Sequence, residues 1–461
     1  MALSPIFASN LNFNRADRNE NAPYYDSTIL EEESLKSAKV WGKIHINNNW
    51  SATKDAGICT GNGTYYNPYI IEDLVIDGGG TGSCIKIENS AVYSKIENCT
   101  LFNSSLVNSY AGILLLHVSN SKIINNDCSS NFGGIRLEYS DNNEISGNSA
   151  NNNLNNGVFL YNSNNNLIFE NIINNNDYGI HLRFSDYNTI MKNTGNNNDY
   201  FSYLHYSNNN FISNNNAIYN LQGIYISRSC YNNITGNTAN YNLEGIDLYY
   251  SDYNSVIGNI VNFNEIGIYL LFSDYNIFTG NIAKYNLHGL YLLASDYNNI
   301  TRNNPNYNLY GIDVQSSNDN AISENIANNN NVSGIRLYNC YTSVIWRNNA
   351  NYNRFHGIYL LYCLFNLISG NFANNNSHVG IYLFGVYSLG NPVFGSNFNN
   401  VTGNTANFNE IGILLQSSNN NTILENILIG NSVCISEDDC IGNEFNNNSC
   451  PYNEGNVIIP A

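Results

Sequence analysis

The sequence predicts an all-β fold, a right-handed parallel β-helix solenoid of about 15 coils with a cap at each end. The first observation is a Gly followed by an aliphatic residue, which recurs every 22 or 23 residues, as in Gly245-Ile246 and Gly267-Ile268. The second is an Asn that recurs 14 residues after the Gly, and the third is the lack of helical periodicity within the repeats. A fixed period of this length is typical of a solenoid in which each repeat forms one coil.

Each repeat contains two or three short strands. With the Gly counted as slot zero, slots one and three are apolar and slot two varies, which is the alternation of a strand with one buried face. Slot eleven is apolar again and indicates a second strand, while Asn, Ser, Asp and Gly mark the corners between strands. Because strands of successive coils stack in parallel, and parallel crossovers are overwhelmingly right-handed, we expect a right-handed β-helix.

The Asn at slot fourteen is expected to form a ladder along the axis of the solenoid. It occupies the same place in coil after coil, for example at Asn237, Asn259 and Asn281. Stacked amide side chains hydrogen-bond along such a column, and Asn tolerates the left-handed backbone of a sharp corner. We therefore interpret this column as structural.

The repeats divide the chain into three parts. Residues 1–38 are predicted to be an N-terminal arm with a possible capping helix, and residues 39–430 are predicted to form the β-helix. Residues 431–461 are predicted to form the last coil and a Cys-rich C-terminal cap. One coil is about ten residues too long, so we expect residues 385–398 to form a protruding loop.

Composition and charge limit the classes of function. The chain carries 36 acidic and 18 basic side chains, for a formal net charge of −18. Because no basic stripe is present to displace counterions, the sequence predicts no nucleic-acid partner. No run of about eighteen apolar residues occurs, so no membrane span is expected. Abundant Tyr and Asn with few charges favour an extracellular or cell-surface location, and residues 1–9 resemble the remnant of a signal peptide.

The ten Cys residues favour an oxidising compartment. Residues in one slot of adjacent coils should have Cα atoms about 5 Å apart, which is within disulfide range. The disulfide candidates are Cys340 and Cys363, Cys99 and Cys128, and Cys440 and Cys450 of the C-terminal cluster that also holds Cys434. The alternative is that buried free thiols fill small apolar positions of the coils.

The outer face of the first strand is the predicted binding surface. Slot two is expected to face solvent, where its side chains offer stacking and hydrogen bonds to sugars. The candidate substrate-binding residues are Tyr225, Asp247, Tyr269, Tyr291, Asp313, Arg336, Tyr359 and Tyr382. No catalytic residue is assigned, because Asp247 and Asp313 lie three coils apart, about 14 Å, beyond the spacing of about 5–9.5 Å for paired glycosidase carboxylates. The alternative is an ordinary Tyr-rich strand face.

Slot seven supplies a candidate metal site. Asp252, Asp274 and Asp296 occupy this slot in three successive coils, where close carboxylates repel one another or recruit a cation. Calcium, which prefers oxygen ligands, is the cation we expect, although no cofactor is required. The alternative is that each Asp caps its own turn and faces water. The scattered His residues and the lack of a Cys-x-x-Cys pair give no support for a copper or zinc site.

The repeats resemble a known family. The units from Gly245 to Asn259 and from Gly267 to Asn281 resemble the parallel β-helix repeats of the NosD-like family, within the wider carbohydrate-binding and sugar-hydrolysis (CASH) group. This resemblance covers about residues 70–450 and is specific for the fold. It implies a periplasmic role in maturing a copper enzyme for NosD-like proteins, and binding or processing of carbohydrate for the wider group.

The sequence supports three hypotheses about the function. The regular array, the Tyr-rich exposed sheet and the lack of a catalytic cluster favour a secreted or cell-surface protein that binds glycans or serves as an adhesive or structural rod. The segment from Cys59 to Glu72 also resembles the start of archaeal surface β-helix proteins. The rival is a polysaccharide-active lyase, hydrolase or epimerase that uses the first-strand sheet. The third is a NosD-like periplasmic accessory protein that handles metal. The expected partner is a polysaccharide or surface glycan.

Overall fold

The computed structural model describes residues 39–106, 110–388 and 391–450. They form the predicted right-handed parallel β-helix, in which each of two long sheets contains 17 parallel strands, one from every coil. The coils therefore number 17 and not about 15. The difference arises at the start of the solenoid, where the first coil begins at Ile44 without the Gly that marks later coils. The predicted arm and capping helix in residues 1–38 lie outside the described residues.

Sheet 1 is built from the strands that carry slots one to three. Each strand pairs in register with the strands of the adjacent coils, so that equivalent slots stack along the axis, as Tyr225, Asp247 and Tyr269 do. The strands of sheet 1 are Ile44–Asn47, Ile85–Ser90, Ile113–Val118, Ile135–Glu138, Asn156–Tyr161, Tyr178–Arg183, Tyr200–His205, Gln222–Ser227, Glu244–Tyr249, Ile266–Leu271, His288–Leu293, Tyr310–Gln315, Ser333–Tyr338, His356–Leu361, Val379–Phe384, Ile411–Gln416 and Val433–Asp438.

Sheet 2 carries slot eleven and is made of shorter strands. They are Tyr69–Glu72, Ser94–Glu97, Ser121–Ile124, Glu144–Ser146, Leu167–Phe169, Thr189–Met191, Phe211–Ser213, Asn233–Thr235, Ser255–Ile257, Ile277–Thr279, Asn299–Thr301, Ala321–Ser323, Val344–Trp346, Leu367–Ser369, Asn400–Thr402, Thr422–Leu424 and Glu444–Asn446. The third side of the coil is formed by short three-stranded sheets and by isolated bridges such as Ile260 with Ile282. The strands of the short sheets are Lys39–Trp41, Leu74–Asp77, Thr100–Phe102, Thr194–Asn196, Asn216–Ile218 and Thr238–Asn240.

Two elements depart from the repeated coil. A helix, Trp50–Asp55, follows the first strand of sheet 1 and buries Trp50 and Thr53. The long coil contains the strands Val386–Ser388 and Asn391–Phe394, which pair antiparallel as a hairpin. The ten-residue excess noted in the sequence is therefore an inserted hairpin between strands of the parallel sheets.

Aliphatic side chains from slots one, three and eleven fill the inside of the solenoid, as the sequence predicts. In the coil that starts at Gly245, the side chains of Ile246, Leu248 and Val256 are 0% exposed. Because each coil repeats these positions in register, apolar surface is buried between coils as well as across the coil. Apolar burial of this kind supplies the main favourable contribution to folding.

The predicted Asn ladder at slot fourteen is present, and every polar atom of its amides is used. Asn281 is 0% exposed. Its Oδ1 accepts hydrogen bonds from the backbone N–H of Asn259 at 2.9 Å and from Nδ2 of Asn259 at 3.1 Å. Its Nδ2 donates to the carbonyl of Val256 at 2.8 Å and to Oδ1 of Asn303 at 2.9 Å. An amide has two donor hydrogens and two acceptor positions, so this column is fully satisfied.

Two further Asn ladders stand at the other corners and were not predicted. Asn254 at slot nine and Asn264 at slot nineteen each accept the backbone N–H of the preceding coil, at 2.8 Å in both cases. The predicted left-handed backbone also lies one residue earlier than expected. It occurs at Gly258, with φ +62°, and at Tyr253, with φ +58°, directly before the ladder Asn. The Asn residues therefore serve as hydrogen-bonding groups, and their neighbours make the turn.

The disulfide prediction is wrong for most of its candidates. The structure forms one disulfide, between Cys434 and Cys450, whose Cα atoms lie 6.2 Å apart. The candidates Cys99, Cys128, Cys340, Cys363 and Cys440 are free thiols. In-register stacking explains the difference for Cys340 and Cys363, because parallel Cα–Cβ bonds keep the Cβ atoms of stacked residues about 4.8 Å apart, beyond the usual disulfide range of about 3.5–4.5 Å. Cys99 does not stack on Cys128, because Thr100 pairs with Asp127 and the backbone N–H of Cys99 donates to Asn126. The buried thiols instead fill small positions of the core.

Phe201 occupies slot zero, where other coils have Gly, and its ring is 0% exposed inside the solenoid. The preceding coil makes room for it with Gly195, in a slot that is usually Ala, as at Ala217 and Ala239. A methyl group on Gly195 would overlap the Phe201 ring. The large side chain of Phe201 and the missing methyl group of Gly195 therefore compensate each other, and we call these two residues a packing unit.

Candidate functional site

The outer face of sheet 1 carries three columns of side chains. In the strand Ile266–Leu271 the successive residues Gly267 and Ile268 are both buried, whereas Ile266 and Tyr269 are partly exposed. This doubled buried position interrupts the simple alternation of a strand. Slots minus one, two and four consequently share the outer face.

The structure stacks the eight predicted substrate-binding residues in a single column. Each lies beside the next in register, from Tyr225 and Asp247 at one end to Tyr359 and Tyr382 at the other. The predicted exposure is wrong at two positions, because Asp247 is 5% exposed and Asp313 is 0% exposed. Larger side chains on adjacent coils, about 4.8 Å away, cover these short carboxylates.

The Tyr rings of this column stack face to face between coils. The ring centroids of Tyr203 and Tyr225 lie 5.1 Å apart, and those of Tyr269 and Tyr291 lie 5.2 Å apart with an interplanar angle of 13°. One face of each of these rings is therefore covered by a neighbouring Tyr ring, and the side chains are partly exposed. Burial raises the pKa of Tyr269 to about 12, so its phenol is neutral at physiological pH and remains a hydrogen-bond donor.

A second column, at slot minus one, was missed because only the positions after each Gly were read for function. It contains Tyr178, Tyr200, Gln222, Glu244, His288, Tyr310 and His356. Its members contact the slot-two column, as Tyr178 does with Tyr203 at a centroid distance of 5.7 Å. Reading the residue directly before each marker Gly reveals the polar and aromatic content of this column.

The buried Asp247 forms a carboxyl pair with the partly exposed Glu244. Nε2 of Gln222 donates to Oε2 of Glu244 at 2.5 Å and to Oδ2 of Asp247 at 3.1 Å. Burial, followed by the charge of Glu244 and a hydrogen bond with it, raises the pKa of Asp247 well above its usual range. The pair therefore retains a proton on the outer face of the sheet at a pH where an exposed Asp has lost it.

Asp247→Asn is expected to alter the pH dependence of stability. Because the folded-state pKa of Asp247 is raised, the folded chain binds more protons than the unfolded chain between the two pKa values, and wild-type stability falls as pH rises through that interval. The variant cannot ionise there, so its melting temperature should fall less between pH 4 and pH 8. Asp439→Asn, at an exposed corner, is the control. An unchanged pH profile in Asp247→Asn would contradict the assignment.

Asp313 is held by an ion-pair network that spans three coils. Nε and Nη2 of Arg336 donate to the two carboxylate oxygens of Asp313, each at 2.8 Å, in a bidentate pair. Nε2 of Gln315 donates to Oδ2 at 3.1 Å, and Nδ1 of His288 lies 3.1 Å from the same oxygen. The Arg336 guanidinium stacks over the Tyr310 ring at 4.3 Å. This network fixes a charged pair among the Tyr rings.

A cleft of about 350 Å³ opens on the same face nearer the N-terminal end of the solenoid. Its lining includes Arg136, Glu138, Phe159, Tyr178, His181 and Arg183. Burial lowers the pKa of His181 to about 3, so the imidazole is neutral at physiological pH. Nδ1 of His181 lies 3.2 Å from Oδ1 of Asn156, which orients the ring in the floor of the cleft.

Each slot-seven Asp accepts a hydrogen bond from a backbone N–H of the next coil. Oδ1 of Asp252 accepts the backbone N–H of Asp274 at 2.8 Å, and Oδ1 of Asp274 accepts that of Asp296 at 2.7 Å. Oδ1 of Asp296 in turn accepts the backbone N–H of Asn318 at 2.6 Å. Each carboxylate therefore contacts the next coil, and calcium binding at this column stays a prediction.

The fold and the repeated outer face define the class, a right-handed parallel β-helix protein. A family profile described as a right handed beta helix region matches residues 41–195. A second profile, described as periplasmic copper-binding protein (NosD), matches residues 169–288 and 273–457, more than half of the chain. The chain belongs to the NosD family. No curated protein matches the sequence.

Solved structures with similar coils share little sequence with this chain. The periplasmic alginate epimerase AlgG is 14% identical, with 88% of this chain and 83% of that chain covered and a TM-score of 0.29. The A-module of the Azotobacter vinelandii mannuronan C-5 epimerase AlgE4 is 11% identical, with 83% and 92% covered and a TM-score of 0.33. Tailspike protein 3 of bacteriophage CBA120 is 13% identical, with 84% and 57% covered and a TM-score of 0.29. These values carry no inference about function.

Copper binding requires His, Cys or Met ligands that converge. All seven His and all ten Cys lie in the part of the chain that the structure describes, where no group of three or more His, Cys, Asp or Glu could hold a metal ion. The stacked thiols of Cys340 and Cys363 are 0% exposed. Burial raises the pKa of Cys363 well above its usual range, which favours the thiol over the metal-binding thiolate. The described residues therefore do not fit a copper ion.

Within residues 39–106, 110–388 and 391–450, no helix has the length and apolar character needed to cross a membrane.

Proposed function

We propose that this chain is an extracellular or cell-surface β-helix that binds polysaccharide lengthwise along the outer face of sheet 1. The observation that carries the proposal is the in-register column from Tyr225 to Tyr382, in which partly exposed Tyr side chains and Arg336 repeat along a rigid sheet, with the buried Asp247 and Asp313 between them. A ligand that repeats a similar unit along its length suits such a surface.

The chemistry of the column suits sugars. Sugars offer hydroxyl groups and apolar ring faces, and binding sites for polar ligands combine apolar side chains with a few fixed polar groups. Tyr edges and hydroxyl groups supply both kinds of contact at Tyr269 and Tyr291. Because the Tyr269 and Tyr291 rings stack on each other, with centroids 5.2 Å apart, binding requires little side-chain ordering.

Tyr269→Phe combined with Tyr291→Phe is expected to weaken polysaccharide binding by about tenfold, because two hydroxyl groups that contact the ligand are lost while the ring stack is kept. Tyr253→Phe combined with Tyr275→Phe is the matched control, since these rings stack at 5.1 Å in a corner ladder of adjacent coils. Binding is measured for the full chain by affinity electrophoresis in dextran, polygalacturonate, hyaluronan and dextran sulfate. Equal losses in both pairs, or binding to none of the polysaccharides, would contradict the proposal.

The pair Asp247 and Glu244 favours a second function, in which the bound polysaccharide is also cleaved. A carboxyl group that retains its proton can serve as a general acid toward a glycosidic oxygen. New reducing ends in the binding reactions, absent in the Asp247→Asn variant, would support cleavage. Reducing ends that stay at the level of the polysaccharide alone would limit the function to binding.

A further inference from the structure

The outer face of sheet 1 is locally basic near its N-terminal end, in a chain whose formal net charge is −18. Between the strands Ile135–Glu138 and Gln222–Ser227, slots two, four and five hold Arg136, Arg183 and Arg228 with a single acid, Glu138. Consecutive members of this Arg set are two coils apart, about 10 Å along the axis. We call this region the arginine edge.

Two of these cations are exposed and are positioned by aromatic rings. The guanidinium of Arg183 lies 5.4 Å from the Phe184 ring centroid, and that of Arg228 lies 5.5 Å from the Tyr206 ring and donates a hydrogen bond to its hydroxyl group. Neither Arg183 nor Arg228 forms an ion pair with a described residue. Stacked guanidinium groups of this kind keep their N–H edges available for a bidentate anion.

Arg136 differs from the other two, because its Nε donates to Oε1 of Glu138 at 2.5 Å and its guanidinium stacks over Phe159 at 4.6 Å. It lines the cleft that also contains Arg183. The lining of the cleft therefore includes one guanidinium group paired with Glu138, one exposed guanidinium group and the neutral imidazole of His181. That arrangement gives an anionic group a fixed position at the end of the arginine edge.

The opposite edge of the same face is acidic. Asp177 and Asp199 lie at the corner next to Tyr178 and Tyr200, where their charges raise the pKa of Tyr178 after the larger effect of burial. Charge therefore changes sign across the width of the sheet, from acidic before slot minus one to basic at slots four and five. An anionic ligand on this face would orient its charged groups toward the arginine edge.

We propose that the polysaccharide bound by this face is anionic, with carboxylate or sulfate groups that contact Arg183 and Arg228. This inference rests on the proposed function and adds the class of ligand. The two-coil spacing of the Arg set, about 10 Å, suits an anionic group on every second sugar of an extended chain. The contacts are charge-assisted hydrogen bonds, which are stronger and more directional than those to neutral hydroxyl groups.

The test compares two double variants of the full chain with the same change in net charge. Arg183→Gln with Arg228→Gln removes the exposed cations of the arginine edge. Arg347→Gln with Arg354→Gln removes two exposed Arg residues that stack over Trp346 and Phe355 elsewhere on the solenoid. Dissociation constants are measured for hyaluronan and polygalacturonate, which carry carboxylates, for dextran sulfate, and for neutral dextran, at two salt concentrations.

Binding of at least one anionic polysaccharide is expected to weaken by at least about tenfold in the arginine-edge variant and by less than about twofold in the control. Its salt dependence should also decrease, because fewer ion contacts remain. Comparison of hyaluronan and polygalacturonate with dextran sulfate identifies whether carboxylate or sulfate groups are preferred. Tighter binding of the wild-type chain to dextran than to every anionic polysaccharide would overturn the inference. Equal losses of affinity in the two double variants would also overturn it. If dextran binding depends on Tyr269 and Tyr291 but not on the arginine edge, the proposed function stands and only this inference fails.

Discussion

Asn281→Ala is expected to lower the free energy of unfolding by about 3–5 kcal/mol. The substitution removes the acceptor of the Asn259 backbone N–H and of Asn259 Nδ2, and the donor to the carbonyl of Val256. Three buried polar groups then each lose a hydrogen bond, although Asn259 Nδ2 keeps its bond to the carbonyl of Ile234. A buried group that is left without a partner costs about 1–3 kcal/mol. The measurement is the urea midpoint of the full chain, followed by circular dichroism.

The matched control is Asn299→Ala, at an exposed position of the next coil. Its side chain is outside the ladder, so the change in unfolding free energy should remain within about 0.5 kcal/mol. If both substitutions shifted the midpoint equally, the ladder would contribute no more than an ordinary surface Asn. That result would contradict the structural interpretation of slot fourteen.

Substitutions in the packing unit of Phe201 and Gly195 are also expected to lower the free energy of unfolding. Phe201→Gly should cost about 3–5 kcal/mol, because it removes a fully buried ring and leaves a cavity. Gly195→Ala should cost about 1–3 kcal/mol or more, because its methyl group overlaps that ring. The double variant recreates the small side chains found at Gly223 and Ala239, so its cost should be smaller than the sum of the single costs.

A double-mutant cycle measures this coupling, with urea denaturation of the two single variants and the double variant. The expected interaction is about 1–3 kcal/mol in favour of the double variant, as for residues that share a cavity. Gly258→Ala is a useful reference, because a Cβ there meets no atom within 4 Å and only the positive φ of +62° opposes it. Additive costs for Phe201 and Gly195 would show that the two exceptions to the repeat arose independently.

The coil repeat could be predicted from the sequence because every repeat has the same residue types at the same slots. Gly, Ile and Leu recur at fixed slots, and in-register stacking converts that period directly into parallel sheets. The same logic placed Asp247, Tyr269 and their neighbours in one column. The number of coils was underestimated, because the first coil, although it lies within the predicted range 39–430, lacks the Gly and its strand at Ile44 has no marker to count from.

Side-chain detail was less predictable. The free thiols of Cys340 and Cys363 show that an equal slot fixes the Cα spacing but not the direction in which Cβ atoms approach. The carboxyl pair of Glu244 and Asp247 depends on the doubled buried position, which brings slots minus one and two to the same face. The period of the repeat can be counted in the sequence. A local break in the alternation of buried and exposed residues is visible only in the structure of the strand.

On the proposed function, a polysaccharide lies on the outer face of sheet 1, parallel to the axis of the solenoid. Isothermal titration with oligosaccharides of increasing length, cut from the polysaccharide that the chain retains most strongly, tests it directly. The column from Tyr203 to Tyr382 extends for about 40 Å, so affinity should increase with each added sugar until the ligand covers several coils. Affinity that reaches its limit with a disaccharide would place the ligand in a single local site and contradict lengthwise binding.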